Sequence, residues 1–286
     1  RYGGVVPEVA SRRHLELIER VTRSALDEAE ASLDDVDLVA VTQGPGLVGA
    51  LLVGLAFAKA LAWSRRRPCA PVDHLHGHVA SLFIGDEPVE PPFVCLLASG
   101  GHTLILDVPD HGSYTVLGRS IDDAAGEAFD KGARLLGLGY PGGAALDRLA
   151  RDGDPHAYAF PVARVPGADM SFSGVKTALY YEARDLDADV LRSRRADLAA
   201  SYEHAIVSAL VRRLEAAADA PGVTQLAVVG GVAANSELRR RLGDLGARLA
   251  PLDFCTDNGA MIASAARYVP AIPFPYYGGV DAYPSA

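Results

Sequence analysis

Two stretches of this chain pass from a short β-branched strand through a glycine turn into a helix, and this pattern constrains the fold most. The first is VDLVAVTQ (residues 36–43), which continues into Gly44-Pro45-Gly46 and a long apolar segment. The second is LAVVGG (residues 226–231), followed by the helical pattern of SELRRRL. Strands that alternate with helices predict α/β layers, with a ligand in the crevice at the strand ends. Because the segment after the first turn is apolar on nearly every face, we expect its helix to be buried.

A proline-rich linker, EPVEPP (residues 87–92), lies between these two stretches and disfavours regular structure. We therefore divide the chain into a first domain, residues 1–92, and a second domain, residues 93–265. Residues 266–286 are assigned to the first domain as its completion. Directly after the linker, FVCLLASGGHTLILDV predicts a pair of strands in a hairpin. The tail after Pro270 is rich in Pro, Tyr and Gly, and we expect it to be loosely attached.

The charge and the cysteines disfavour some classes of protein. The net charge of −9 argues against a generally basic, nucleic-acid-binding surface. The cysteines, Cys69, Cys95 and Cys255, are scattered and odd in number, so they predict no disulfide framework and favour a reducing cytoplasm. No apolar run is long enough to span a membrane without charges or glycines, and no signal-peptide pattern opens the chain.

The stretch DHLHGH (residues 73–78) concentrates histidines in a chain that has only 8 of them. His74 and His78 are four residues apart, so on a helix both rings lie on one face, where they could bind one metal ion. A third ligand is needed, and His76 points to another side. The alternative is a polar helix start with hydrogen-bonded histidines. The metallopeptidase motif HExxH is absent, because no Glu lies between the pair.

Glycine turns recur along the chain, at GPG, SGG, PGG and GG, and such turns let backbone N–H groups approach a phosphate. Neither a P-loop nor a GxGxxG motif is present, which disfavours P-loop NTPases and dinucleotide enzymes. Asp130 could accept hydrogen bonds from ribose hydroxyls. Asn235 could orient a ligand or cap the following helix, and Asp257 is a natural N-cap.

Taken in order, these motifs resemble the TsaD family of tRNA N6-adenosine threonylcarbamoyltransferases, in its bacterial branch. The resemblance rests on VTQGPGLVGALLVGLAFAKALA, HLHGH, LLASGGHT, GEAFDKGARLLGLGYPGG, SFSGVKTAL, VVGGVAAN and CTDNGAMIA. It implies a two-lobed α/β fold of the actin, sugar-kinase and Hsp70 type. It also implies an activity, the transfer of a threonylcarbamoyl group from threonylcarbamoyl-AMP to N6 of adenosine 37, in tRNAs that read codons starting with A.

The resemblance further implies the residues of the site. His74 and His78 match the family's metal ligands and Asp257 matches the third, with Fe²⁺ as the expected divalent ion and Zn²⁺ as the alternative. The positions that match the family's adenylate contacts are Leu97, Ala98, Ser99, Gly100, Gly101, Asp130, Gly143 and Asn235, and Asp147 matches a carboxylate sometimes used for ribose. The implied partners are tRNA and companion proteins similar to TsaB and TsaE, which we expect to complete a basic surface for tRNA.

Two departures from the family pattern stand out. His76 occupies a position where relatives often carry Glu, and it could be a spectator or a fourth donor. The family's opening strand and its ETSCD-like phosphate loop are absent, so we expect part of the N-terminus to be missing. The sequence leaves open three other functions: a metallopeptidase, which is the family's old label, a sugar or acyl kinase of the same fold, and a nucleotide-binding scaffold.

Overall fold

The computed structural model describes residues 6–219 and 222–284, and the chain divides into two compact units. Unit 1 comprises the residues up to Ile84 together with those from Asn258 onward, and unit 2 comprises Gly85–Asp257. The sequence-based division placed the boundaries at 92/93 and at 265/266. In the structure the helix Gly259–Ala266 belongs to unit 1 and the proline-rich linker belongs to unit 2. None of the helices in the described ranges is both long and apolar enough to cross a lipid bilayer.

Unit 1 is a two-stranded parallel sheet with helices. Its strands, β1 and β2, pair from Val39 with Cys69 to Thr42 with Val72. The β-branched run of VAVT favours the first strand, and the glycine turn that follows it leads into a helix as the sequence predicts. The elements in chain order are α1 (Pro7–Glu28), β1 (Val39–Gly44), α2 (Val48–Ser64), β2 (Cys69–Asp73) and α3 (His74–Ala80). The C-terminal helix of this unit, Gly259–Ala266, is labelled α10 below.

The expectation that the helix after the Gly-Pro-Gly turn is buried is wrong. In α2 the buried residues are Leu55, Ala58 and Ala62, whereas Leu52 is 44% exposed and Trp63 is 53% exposed. Helix α2 packs against β1 and α1, and α1 itself has no buried residue. Within the described residues these contacts cover only part of the apolar surface of α2, which leaves an apolar face on unit 1.

The expectation of a loosely attached tail is also wrong. Ile272 forms a two-way backbone pairing with Cys69, in which each N–H donates to the other residue's carbonyl at 3.0 and 2.8 Å. Tyr277 is 1% exposed and belongs to the apolar core of unit 1. Farther along, the Tyr283 hydroxyl donates to Asp73 Oδ2 at 2.6 Å. Aromatic residues and backbone pairing thus fix a segment whose composition suggested looseness.

Unit 2 is built on a five-stranded mixed sheet in the order β5-β4-β3-β6-β7. The predicted hairpin is confirmed, because β3 and β4 pair antiparallel from Phe93 with Val108 to Ala98 with Thr103. On its other side β3 pairs in parallel with β6, and every residue of β3 is buried. The strands are β3 (Phe93–Ala98), β4 (Thr103–Asp110), β5 (Ser113–Arg119), β6 (Leu226–Val229) and β7 (Arg248–Leu249).

The helices of unit 2 lie between β5 and β6, between β6 and β7, and after β7 in the chain. They are α4 (Ala125–Leu135), α5 (Gly143–Ala150), α6 (Ser173–Arg184), α7 (Ala188–Ala218), α8 (Ser236–Asp244) and α9 (Leu252–Cys255). Tyr202 in the long helix α7 is fully buried, and its hydroxyl donates to the Ala128 carbonyl of α4 at 2.7 Å. Helix α7 also contacts α5, α6 and α8. It therefore anchors the helix ends that surround the candidate site.

Candidate functional site

His74, His78 and Asp257 come together in the structure. Each can offer one ligand atom, and these atoms all lie within 4.8 Å of one another. The rings of His74 and His78, one helical turn apart on α3, have centroids 4.8 Å apart. His78 is fully buried, His74 is half-buried and Asp257 is exposed. The helical spacing in the sequence thus places two imidazoles on one face, and the chain brings a distant carboxylate to them.

Close packing between α3 and α10 places Asp257 beside the histidines. Gly77 lies between the two histidines in α3, and a Cβ built there would stand 2.6 Å from Ile262 Cδ1 of α10. A Cβ at this position would displace the end of the Ile262 side chain, so glycine lets α10 pack against α3 without that shift. The Asn258 side chain caps α10 by accepting a hydrogen bond from Met261 N–H at 2.8 Å. The alternative in which Asp257 is the N-cap is therefore wrong, because its neighbour performs that role.

The donor set fits a divalent metal ion. Two imidazoles and one carboxylate suit non-haem Fe²⁺ and also Zn²⁺ in sites that keep a position open for substrate. Metal–ligand distances of about 2.1 Å place two ligand atoms at most about 4.2 Å apart, so binding needs only a small closure of the side chains. The exposed carboxylate leaves room for a further ligand from solvent. His76 is 4% exposed and is not a member of the group.

The stretch DHLHGH also begins a helix, which is the first part of the alternative interpretation. Asp73 is the N-cap of α3, and its Oδ1 accepts a hydrogen bond from His76 N–H at 2.9 Å. The two interpretations of the stretch are compatible, because the cap uses Asp73 and the backbone, whereas the triad uses the imidazoles of His74 and His78. One six-residue segment both begins the helix and presents the metal-binding face.

A cavity of about 310 Å³ lies within unit 2. Helices α4, α5 and α8 contribute residues of their first turns or caps to its wall, and N–H groups at such ends favour anions. The volume is in the range of small-molecule sites. The lining residues are Gly100, Gly126, Phe129, Asp130, Pro141, Gly143, Ala144, Asp147, Gly231, Val232, Ala234, Asn235 and Thr256.

Asp130 holds the glycine turn at the start of α5. Its Oδ1 accepts hydrogen bonds from Gly142 N–H at 2.8 Å and from Gly143 N–H at 3.1 Å. At the start of α4, a Cβ on Gly126 would stand 2.5 Å from the Ser99 carbonyl oxygen, so only glycine lets α4 approach the SGG turn this closely. Of the glycine turns predicted to approach phosphate, SGG, PGG and GG contribute Gly100, Gly143 and Gly231 to the cavity wall, whereas GPG belongs to unit 1.

Asn235 and Asp147 are joined on one wall of the cavity. Asn235 caps α8, because its Oδ1 accepts a hydrogen bond from Leu238 N–H at 2.9 Å. Its Nδ2 donates to Asp147 Oδ1 at 3.2 Å, and the Ser236 N–H and hydroxyl donate to the same oxygen. Arg151 donates to the other Asp147 oxygen at 2.6 Å. The capping alternative for Asn235 is confirmed, and the residue also lines the cavity.

Some residues implied by the resemblance lie outside this wall. Leu97 and Ala98 are fully buried in β3, and Ser99 is 8% exposed in the turn that follows, where its Oγ accepts a hydrogen bond from His102 N–H. Gly101 belongs to the same turn and is not a lining residue of the cavity. These positions support the cavity through the strand end that carries its lining residue Gly100.

The sequence motifs did not identify six of the wall residues, Gly126, Phe129, Ala144, Val232, Ala234 and Thr256. A usable signal was present for Phe129, Ala144, Ala234 and Thr256, because each directly precedes or follows a residue already assigned to the site. Thr256 also links the cavity to the triad along the chain. It lines the cavity, and the next residue in the chain, Asp257, is a member of the triad.

Comparisons with known proteins place the chain in a family. A family model described as "TsaD: tRNA N6-adenosine threonylcarbamoyltransferase" matches residues 1–264. A protein of that name from Symbiobacterium thermophilum is 53% identical over 277 residues, which cover 94% of this chain and 81% of the relative. One from Gloeobacter violaceus is 51% identical over 267 residues, covering 92% and 78%.

Solved structures support the fold. Full-length HypF, in a phosphate- and nucleotide-bound form, matches with a TM-score of 0.62 and 16% identity, over 87% of this chain and 40% of that protein. The HypF of T. kodakarensis matches with a TM-score of 0.61 and 15% identity, over 83% and 41%. At such low identity the likeness concerns the fold alone.

The α/β units and the likeness to HypF define a protein of the actin, sugar-kinase and Hsp70 fold class, as the sequence predicted. Within that class, the match over residues 1–264 and the relatives at about half identity settle the family. The chain belongs to the TsaD family of tRNA N6-adenosine threonylcarbamoyltransferases.

Proposed function

We propose that this chain transfers the threonylcarbamoyl group from threonylcarbamoyl-AMP to N6 of adenosine 37, in tRNAs that read codons starting with A. Family membership supports the reaction. The observation that carries the proposal is the succession of Thr256, a wall residue of the cavity, and Asp257, a member of the triad. Consecutive Cα atoms are about 3.8 Å apart, so one extended substrate could contact both residues.

In this proposal the cavity of unit 2 binds the adenylate part of the donor. The first turns of α4 and α5 and the cap of α8 present positive dipole ends, which favour a phosphate. Asp130 fixes the Gly142–Gly143 turn and stands in the wall where a carboxylate could accept hydrogen bonds from ribose hydroxyls. Gly143, Asp147 and Asn235 are further candidate contacts.

The triad would hold a divalent ion, with Fe²⁺ expected and Zn²⁺ as the alternative. Such an ion acts as a Lewis acid toward a carbonyl oxygen. His74 and His78 fix two coordination positions on a rigid helix face, and the exposed Asp257 leaves the remaining positions accessible to a ligand. The donor types alone suit both iron and zinc, so the geometry of these three side chains would set the preference for one metal.

The transfer requires no protein nucleophile. The donor is a mixed anhydride, and the N6 amine of adenosine attacks its carbamoyl carbon. A new C–N bond forms, the C–O bond to AMP breaks, and AMP leaves with the electron pair while the amine loses a proton. Because the donor is already activated, holding the two reactants together supplies much of the rate. Adenosine 37 lies in an anticodon loop, where a base can be displaced for capture.

Partner proteins similar to TsaB and TsaE are part of the proposal, as is a cytoplasmic location. Because the net charge of the chain is −9, the basic surface that attracts tRNA would be completed by these partner proteins. An exposed apolar face on unit 1 suits a protein partner, because contiguous apolar surface marks interaction sites. Its members are Leu47, Val48 and Leu52, at the N-cap and in the first turns of α2.

The test is a reconstituted reaction. The chain, tRNA, threonylcarbamoyl-AMP and the partner proteins are incubated together, and the modified nucleoside is measured after digestion of the tRNA. We expect modification by the wild type and at least about a hundredfold less by His78→Ala, since loss of a metal ligand removes both binding and polarisation. His111→Ala, on the β4–β5 hairpin away from the triad residues in sequence, is the matched control. No modified nucleoside with the wild type would contradict the proposal.

A further inference from the structure

A buried carboxyl group of α7, Glu203, lies against the wall of the candidate adenylate cavity. It is 4% exposed, and its Oε1 accepts a hydrogen bond from Asn235 Nδ2. The Asn235 amide is therefore held at three points, by Leu238 N–H at its oxygen and by Asp147 and Glu203 at its nitrogen. A flip would turn the amide nitrogen toward the Leu238 N–H and the amide oxygen toward Asp147, so the observed orientation is favoured.

The two carboxyl groups that hold Asn235 differ in their environments. Asp147 accepts hydrogen bonds from Ser236 and from Arg151, so its negative charge is compensated. Burial raises the pKa of Glu203 to about 8, the hydrogen bond from Asn235 opposes this effect, and the neighbouring Asp147 adds to it. Burial thus favours the protonated form of Glu203 at neutral pH.

A second cavity, of about 500 Å³, lies on the other side of this contact, and Glu203 is one of its lining residues. The charged and titratable groups around Glu203 come from three helices, a helix cap and a loop: Asp147 of α5, Arg151 at the C-cap of α5, His204 of α7, Glu237 and Arg240 of α8, and His156 of the α5–α6 loop. Asp147 and Asn235 line the first cavity and Glu203 lines the second. Protons can therefore reach Glu203 without crossing the nucleotide-binding cavity.

We propose that Glu203, acting through the Asn235 amide, is a positioning residue for the nucleotide bound in the cavity of unit 2. The inference rests on the proposed function, because it takes Asn235 as a nucleotide contact. Glu203 fixes which face of the amide the nucleotide meets. When Glu203 ionises, a second negative charge appears next to Asp147, behind a site that binds an anionic ligand, and nucleotide affinity falls.

The experiment is a calorimetric titration of the full chain with AMP at pH 7 and at pH 9. We expect the affinity of the wild type to fall roughly tenfold between these values. Glu203→Gln keeps the shape and the acceptor oxygen but cannot ionise, so it should bind like the wild type at pH 7 and lose this dependence on pH. AMP ionises identically in both titrations, so its own titration cancels in the comparison.

Two further variants separate positioning from general disruption. Glu203→Ala removes the acceptor and should weaken AMP binding by about fivefold at pH 7, the effect of one lost hydrogen bond. Glu182→Gln removes an exposed carboxylate of α6, and it should keep the wild-type dependence on pH. Identical pH profiles for the wild type and Glu203→Gln would overturn the inference and leave the proposed function intact. No AMP binding by the wild type at either pH would overturn the adenylate assignment together with the inference.

Discussion

Replacing Glu203 by Gln should stabilise the folded chain at neutral pH. Burial raises the pKa of this carboxyl group from its usual 4.5 to about 8, so the folded chain keeps a proton that the unfolded chain loses above pH 4.5. The stability linked to this proton is fully present below pH 4.5 and is lost as the pH rises toward about 8. Each pH unit in this window costs about 1.4 kcal/mol, which amounts to about 3 kcal/mol at pH 7 and to about 1 kcal/mol at pH 5.

The glutamine variant avoids this cost and keeps the acceptor for Asn235. We therefore expect its free energy of unfolding to exceed that of the wild type by up to about 3 kcal/mol at pH 7 and by about 1 kcal/mol at pH 5. The assay is urea unfolding followed by far-UV circular dichroism, because the one tryptophan, Trp63, lies in unit 1 and does not follow unit 2. Glu182→Gln, an exposed residue of α6, is the control with the same charge change. A stability difference that stays constant between pH 5 and pH 7 would refute the reasoning.

Three further predictions concern the metal site and the core. His78→Ala should lower the metal bound per chain at least tenfold, as measured by atomic emission, whereas His76→Ala should keep the bound metal. An equal loss of metal in both variants would assign His76 as a ligand. Tyr202→Phe removes a buried hydrogen bond to the Ala128 carbonyl and should lower the free energy of unfolding by about 1–2 kcal/mol in urea titrations. An unchanged midpoint of unfolding would argue against that bond. Gly230→Ala should cost about 2 kcal/mol or more, because φ is 92° and a Cβ would stand 2.4 Å from a carbonyl oxygen of β3. Unfolding at the wild-type urea concentration would contradict this expectation.

The sequence by itself determined the features that depend on neighbours a few residues away. The spacing of His74 and His78 fixed their common face on a helix, and the hairpin pattern of residues 93–108 fixed two antiparallel strands. Asn235 was foreseen as a cap, because a side-chain amide before a helix has few other ways to satisfy the first N–H groups. The ordered motifs also indicated the family, which the comparisons confirmed.

The tertiary structure decided what depends on distant parts of the chain. Composition suggested a buried α2 and a loose tail, but burial depends on which other elements cover a surface. Tyr277 and Ile272 pack within unit 1, whereas α2 keeps an exposed apolar face. Asp257 lies beside the histidines because the chain brings the start of α10 next to α3. Glu203 gives no sign in the sequence of being a neutral acid, since the pKa of a carboxyl group depends on the solvent and charges around it, and only folding removes that solvent.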